Sequence, residues 1–301
     1  MNPDLAIILC TYNPNMDYFN QQLMSIREQS YKNFILYIFD DKSTMENLKK
    51  IKQSLSEYKI PHALEVNENN LGCCMNFIYA LHKIPQHKFY SFADQDDVWY
   101  KDKLKTGIEY LNQYDLYCSA TRLINSSNKV IGFNYLNATP SFKHSLVQSI
   151  AGGNTFIFTK RIRDIIIHKK LNLPYFAHDW FIYQLASGAG LQIFYDSNYS
   201  IDYRIHDSNL TGTSSSFIHK VKRLVMLLKG DFQRWTSDNI ITLKGYESYL
   251  TKENLEILNI LSVKRDSRLS DRLKLYHCHN FRRSSFLQNI AFYLALILKK
   301  I

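Results

Sequence analysis

Three carboxylates fall within four residues at Asp94-Gln95-Asp96-Asp97. Neighbouring carboxylates repel one another unless solvent or a cation relieves them, and at a strand end alternate residues of an Asp-x-Asp can turn toward one point. Hard oxygen donors so arranged suit Mg²⁺ or Mn²⁺, which commonly bridge to substrate phosphates. An acidic surface turn has the same spelling. A calcium EF-hand does not: counted from Asp94, the sixth position is Trp99 and the twelfth Lys105, where that loop needs Gly and Glu. Further polar groups recur along the chain at Thr11-Tyr12-Asn13, Asp40-Asp41-Lys42-Ser43, Asn69-Asn70-Leu71-Gly72, His178-Asp179-Trp180 and Tyr203-Arg204-Ile205-His206.

The elements between these groups decide whether they can meet. Leu5 to Cys10 and Phe34 to Phe39 are short continuous apolar runs, as strands buried on both faces should be. A strand near Ala63 to Val66 and another from Phe89 to Ala93 follow. Between them lie helices carrying Phe19, Leu23 and Ile26, then Leu48, Ile51 and Leu55, then the stretch Met75 to His82. This β-α-β-α-β-α-β order predicts a mainly parallel sheet with helices on both faces. Ligands of such sheets bind at the carboxyl ends of the strands. Thr11 to Asn13, Asp40-Asp41, Asn67 to Gly72 and Asp94 to Asp97 each follow a strand, so all four polar groups fall on one rim.

Beyond residue 114 the pattern mixes. Leu116 to Ile124 reads as a strand, 125–144 as a long polar loop, and Thr155 to Thr159 as a strand after Gly152-Gly153-Asn154. A helix starts near Asp179, two strands run from Leu191 to Tyr195 and from Tyr199 to Ile205, and everything from Phe217 reads as helix. The polar run His206 to Ser216 is the best boundary. It separates an α/β domain over 1–214, with halves of about 1–100 and 101–214, from a helical region over 215–301.

Charge follows the same division. Residues 1–214 hold 21 Lys and Arg against 20 Asp and Glu, whereas 215–301 hold 16 against 7. A basic tail of this kind binds surfaces and does not make the whole protein a polyanion binder. It lacks nucleic-acid-binding signatures, and its basic residues accompany apolar stripes, so no nucleic-acid partner is expected. One stripe is Phe217, Val221, Leu224, Val225 and Leu228; the other is Phe286, Ile290, Tyr293, Leu294 and Ile297, between Arg282-Arg283 and Lys299-Lys300. Packing on the catalytic domain or on another subunit explains such stripes. So does an interfacial helix on an anionic membrane, where each basic residue adds about 1 kcal/mol. Five cysteines without regular spacing read as reduced thiols of a cytosolic protein. No secretory leader and no apolar run of spanning length is seen.

Thr11-Tyr12-Asn13, Asp40-Asp41-x-Ser43, Asn70-x-Gly72, Asp94-Gln-Asp-Asp-x-Trp99, Gly152-Gly153, His178-Asp179-Trp180 and Tyr203-Arg204-x-His206 stand in the order and spacing of a known family. The chain resembles family 2 glycosyltransferases of GT-A fold, and its Asp-Gln-Asp-Asp-x-Trp form is most similar to their bacterial rhamnosyltransferase-like branch. The resemblance runs from about Leu5 to His206. It implies an inverting, metal-dependent sugar transfer from a nucleotide donor, dTDP-rhamnose or a UDP-hexose. The implied acceptor is a saccharide on a lipid carrier, in bacterial surface polysaccharide (O-antigen or capsule) synthesis at the inner face of the cytoplasmic membrane.

Carried over residue by residue, the resemblance implies that Thr11, Tyr12, Asn13, Asp41, Gly72 and Asp94 bind the donor nucleotide, with Asp40 the rival of Asp41. Asp96, with Asp94 and His206, would hold Mn²⁺ or Mg²⁺. Asp179 would be the general base, taking the proton of the acceptor hydroxyl. The family usually presents Glu-Asp there, and this chain has His178-Asp179. Asp97, Trp99, Gly153, His178, Trp180 and Arg204 would contact acceptor or diphosphate. Blander readings stand beside these: an Asx-turn at Asp41, a packed aromatic at Tyr12 or Trp99, a helix N-terminal carboxylate at Asp179. A nucleotidyltransferase would share the sheet and the carboxylates, but Thr-Tyr-Asn-Pro stands where its Gly-rich, basic phosphate loop belongs. A catalytically silent binding scaffold would require lost carboxylates, and those carried over as catalytic or metal-binding, Asp94, Asp96 and Asp179, are present. A homo-oligomer remains open.

Overall fold

All seven residues of β1 (Leu5–Thr11) are buried, and β1 sits between β2 (Phe34–Asp40) and β4 (Phe89–Ala93), parallel to both. β3 (His62–Val66) pairs in parallel with β2. The computed structural model describes residues 3–169, 171–206, 229–265 and 267–300. Register sets the functional edge. Thr11 lies beside Asp40, Asp40 beside Val66, and Leu9 beside Ala93, so the four strands finish at nearly one level.

The helices form where the sequence places apolar residues three and four apart. α1 (Met16–Arg27) buries Phe19, Leu23 and Ile26; α2 (Met45–Tyr58) buries Leu48, Ile51 and Leu55. Both pack in one core with Leu5, Ile7 and Leu9. α3 (Cys73–Lys83) belongs to the opposite face, where Phe77 meets Phe92 with ring centroids 4.8 Å apart. α1 and α2 start with side-chain caps, from Asn15 and Thr44 respectively, which satisfy amides the first turn would leave open. This α/β arrangement is the one the sequence predicts.

The second half of the sheet is mixed. β6 (Leu116–Ile124) is antiparallel to β8 (Ile157–Thr159) and to β7 (Val130–Asn134) but parallel to β9 (Ile193–Arg204). β8 is antiparallel to β4, and the two-residue β5 (Val98–Trp99) closes the order on β9, giving β3-β2-β1-β4-β8-β6-β9-β5 with β7 off β6. Three local expectations are corrected. The two strands expected from Leu191 to Ile205 are one, because the Asp196–Tyr199 interruption is a register shift opposite Ser119–Thr121 and not a turn. The polar stretch 125–144 contains β7 and the short α5 (Phe142–Ser145). The strand after Gly152 starts only at Ile157, behind a 3-10 turn Gly153–Thr155. α4 (Lys103–Tyr110) and α6 (Lys160–Ile167) complete the layers.

The chain divides into two compact units. The first is Met1–Tyr135, Ala151–Leu171 and Gln192–Asp207; the second is Leu136–Ile150, Asn172–Leu191 and Ser208–Ile301. The stretch 101–214 thus contributes to both. In the second unit, α7 (His178–Gly188), α8 (Asp231–Gly245), α9 (Lys252–Lys264), α10 (Leu269–Cys278) and α11 (Phe286–Ile297) follow α5. Phe142, Leu146 and Val147 share one core there with Leu243, Leu258, Leu275 and Phe292. The expected stripe Phe217 to Leu228 lies outside the described residues. Among the described residues, no disulfide forms and no helix is long and apolar enough to cross a membrane.

Candidate active site

The rim of the first unit is built by hydrogen bonds between strand ends far apart in sequence. Asp40 is fully buried and accepts from Thr11 Oγ1 at 2.9 Å, Ser43 N at 2.8 Å and Ser43 Oγ at 2.6 Å. That set of donors makes Asp40 a structural carboxylate. Asp41 Oδ1 accepts from Leu71 N at 2.7 Å and Asn67 Nδ2 at 2.9 Å, and its Oδ2 from Gly72 N at 2.8 Å. Asn70 Nδ2 reaches Asp41 O at 3.0 Å. The carboxylate of Asp41 therefore orders the loop that opens α3. Gly72 has φ 78° and ψ 156°, a conformation that only glycine adopts at low cost. A Cβ there would meet no atom within 4 Å, so the backbone, not crowding by the protein, requires the glycine. Gly72→Ala should cost about 1–3 kcal/mol of stability in denaturant unfolding. A loss near zero would show that the loop relaxes without strain.

The Thr11–Asn13 turn is locked from both sides. Tyr12 N donates to Gln95 Oε1 at 2.9 Å, and Asn13 N to Ser43 Oγ at 2.7 Å. Asn13, at φ 42°, accepts from Thr44 N at 2.9 Å on its Oδ1. The Tyr12 ring remains about half exposed, at 52%, and is the one large apolar surface of this turn open to a flat ligand.

Asp96 and His206 come together across the sequence. His206 Nε2 lies 2.8 Å from Asp96 Oδ2, both side chains less than a fifth exposed. Tyr18 of α1 stacks on the His206 ring at 5.8 Å, and the Arg204 guanidinium lies 4.3 Å from the centroid of that same Tyr18 ring. Arg204 is fully buried. It donates to Asp96 O at 2.9 Å, Gln21 Oε1 at 2.9 Å, Asn125 O at 3.3 Å and Asn128 Oδ1 at 2.5 Å. The guanidinium of Arg204, expected to contact acceptor or diphosphate, is engaged in holding the Asp96 backbone and the β6–β7 turn.

Asp97 and Trp99, two more of the expected acceptor or diphosphate contacts, are buried as well. Asp97 is fully buried and accepts from Asn154 Nδ2 at 2.5 Å and Arg204 N at 3.2 Å, so it ties β4, β9 and the Gly153 turn together. Burial, then the charges of Asp96 and Asp94, push its carboxyl well above the usual range, with Asn154 and the Arg204 amide opposing. Trp99 is 3% exposed and lies in the core, with Lys103 Nζ 3.7 Å from its ring centroid. It is a packing anchor, not a sugar platform. Lys103 is itself buried, its ammonium pushed down to about 7 by desolvation and supported by Asp97. Gly153 is buried in its turn and offers only backbone. Asp94 is half-buried at the end of β4, within electrostatic reach of Asp97 and of Cys10.

In the second unit α7 begins with His178, and Asp179 Oδ1 accepts from Trp180 N at 2.7 Å in the first turn. Burial pushes the His178 imidazole down while Asp179 pulls it up, so His178 is not a fixed cation. Trp180 Nε1 donates to Ser145 O at 2.6 Å, anchoring the indole on α5. Around it, Phe176 stacks on Trp235 at 4.5 Å and Trp235 meets Phe232 at 4.8 Å, all half-buried.

A hard divalent cation needs only one or two protein carboxylates when phosphates and water complete its shell. The oxygen donor of Asp96 and the ring nitrogen of His206, with Asp94 nearby in sequence, fit that requirement. Among the described residues, no cluster of three or more His, Cys, Asp or Glu could enclose a metal without such help.

Sequence reasoning did not single out Tyr18, Gln21, Asn154 or Lys103. No local motif marks them; they gain their meaning from distant partners that arrive only when α1, β4 and β9 meet. Residues 6–171 match the family model described as Glycosyl transferase family 2. The dTDP-rhamnosyl transferase RfbG of Shigella flexneri is 28% identical over 226 residues, 72% of this chain and 78% of that protein. Among solved structures, Staphylococcus aureus TarS residues 1–349 in complex with UDP-GlcNAc aligns with TM-score 0.56 at 16% identity, covering 90% of this chain and 83% of that one. The mannosyltransferase PcManGT of Pyrobaculum calidifontis, in complex with GDP-Man and Mn²⁺, aligns with TM-score 0.57 at 13% identity, over 100% of this chain and 87% of that one. At such identities these structures speak for a shared fold.

Proposed function

The chain belongs to glycosyl transferase family 2, and from that membership we propose that it is an inverting transferase moving rhamnose from dTDP-rhamnose, or a hexose from its UDP form, onto a lipid-linked saccharide. The observation that carries this reading is the Asp96–His206 pair, 2.8 Å apart on the rim where four strands end. The likeness to a dTDP-rhamnosyl transferase supports the first donor. The product would serve a bacterial surface polysaccharide, O-antigen or capsule, assembled at the inner face of the cytoplasmic membrane.

In this reading Tyr12 stacks on the base, and Asp41, buried to 3% exposure but with only one hydrogen bond on Oδ2 among those described, is the acceptor for the pyrimidine N3–H. Thr11, Asn13 and Gly72 shape the nucleotide pocket through the backbone they fix. Asp96 and His206, with Asp94, form the donor set for Mn²⁺ or Mg²⁺, whose contribution when bound is to neutralise charge on the departing diphosphate. Asp179 takes the proton from the acceptor hydroxyl as that oxygen bonds to the anomeric carbon. The bond from that carbon to the diphosphate breaks in the same displacement, so configuration inverts and nucleoside diphosphate leaves. His178 and Trp180 border the acceptor, and the Phe176, Trp235 and Phe232 rings offer flat apolar faces of the kind sugars stack on.

A screen of nucleotide sugars, read as nucleoside diphosphate release with and without divalent cation, tests the proposal. Cation-dependent turnover of dTDP-rhamnose or a UDP-hexose is the expected result; turnover of neither, with other donors active, overturns the donor assignment. A second measurement addresses the His206 support. Tyr18→Ala should weaken Mn²⁺ binding in the presence of nucleoside diphosphate about 10–100-fold, as lost support of a ligand typically does. Tyr18→Phe, which keeps the ring, should restore it. Equal affinity for wild type and Tyr18→Ala would assign the stack to packing alone.

A further inference from the structure

We propose that α11 is an interfacial docking helix that lays one apolar face on an anionic lipid surface. It contains no charged residue from Phe286 to Ile297, and it is held firmly at its start. Ser285 caps it through Gln288 N, and Asn289 exchanges hydrogen bonds of 2.8 Å with both the N–H and the C=O of Arg283. Its inner face is committed to the second unit. Phe292, Ala295 and Leu296 are buried, with Phe292 5.3 Å from Tyr276.

The outer face is the unusual one. Phe286 is 79% exposed, Leu287 76%, Ile290 44%, Leu294 52%, Ile297 48% and the following Leu298 52%. At 3.6 residues per turn these six project into a sector of about 120°. The sequence placed Tyr293 on this stripe; it is half-buried against the core, and Leu287 and Leu298 take its place outside. Packing therefore claims one side of the helix and leaves the other as a continuous apolar surface.

Charge selects what covers that surface. Exposed Arg282 and half-buried Arg283 precede the helix, and exposed Lys299 and half-buried Lys300 follow it. Two copies of α11 facing each other would bring basic ends together in either the parallel or the antiparallel sense, which like-charge repulsion opposes. An anionic headgroup layer answers both ends at once while its acyl boundary takes the apolar face. The helix is too short to cross a bilayer, and it lies along the surface. The proposal rests on the reading of the acceptor as lipid-linked, which gives the contact its purpose.

The test is co-sedimentation of the full chain with vesicles of equal parts phosphatidylglycerol and phosphatidylcholine, and with phosphatidylcholine alone. Binding should favour the anionic vesicles and weaken as salt rises. Leu287→Glu combined with Leu294→Glu alters only exposed positions, and should lower the vesicle partition coefficient about tenfold or more. Circular dichroism checks that the variant is folded. Arg282→Gln with Lys299→Gln should keep the apolar contact but flatten the salt dependence. Failure of wild type to bind anionic vesicles at low salt, or equal binding by the glutamate variant, overturns the proposal. So does a wild-type dimer that the glutamate variant converts to monomer without any vesicle binding. Turnover with a soluble acceptor analogue separates the two readings: the glutamate variant should retain it, and its absence from every form alongside normal vesicle binding would fault the transferase reading alone.

Discussion

Asparagine at position 179 should lower sugar transfer about 10²–10⁴-fold, the range for loss of a general base. The substitution keeps the shape of the side chain and an oxygen to accept the Trp180 amide, now 2.7 Å from Oδ1. It removes the capacity to take a proton. Donor binding, measured by nucleotide titration, should stay within a few-fold of wild type, since every proposed nucleotide contact lies in the first unit. Stopped transfer with intact donor affinity identifies the base. Near-normal transfer would pass the role to another carboxylate; Asp97, the first alternative, is fully buried and already takes two hydrogen bonds.

Asp96→Asn is expected to cost about 10² or more in kcat, as removal of a preorganised electrostatic group does. Two readouts accompany the rate. Mn²⁺ affinity in the presence of nucleoside diphosphate should fall, because a neutral amide is a poorer hard donor than a carboxylate. The melting temperature should change little, because Arg204 holds the backbone oxygen of residue 96, which the substitution leaves in place. Wild-type turnover that survives EDTA unchanged would remove the metal from the proposal and leave Asp96 as the orienting partner of His206.

The elements that carry the rim were legible because burial on both faces writes itself into sequence as continuous apolar runs. Leu5 to Cys10, Phe34 to Phe39 and Phe89 to Ala93 each stand within a residue of the strands they form. β7 was not legible: Val130, Ile131 and Phe133 are exposed, so nothing buried imposes a pattern on it. β9 looked broken because its register shift uses the residues of a turn, Asp196 to Asn198. The residue types of the candidate site were legible too, but not their division of labour. Asp40, Asp97 and Arg204 are polar groups at the right address whose hydrogen bonds face inward. Sequence shows that a charge is present and cannot show that the fold has already used it. The same limit hid Tyr18 and Asn154, whose meaning comes from partners across the sheet.

The second unit assembles from segments of chain that emerge long apart during synthesis. Phe142, Leu146 and Val147 belong to a core whose other members include Leu275, Phe281 and Phe292. At a translation rate of about 5–20 residues per second, the first of these apolar side chains waits on the order of ten seconds or more for the last. Through that interval the side chains of Phe142, Leu146 and Val147 have part of their core not yet made. A chain released early, at the polar stretch near residue 214, carries the same uncovered surface permanently. The fold of residues 142–147 is thus tied to the arrival of Leu243, Leu258, Leu275 and Phe292, the later members of the core they share.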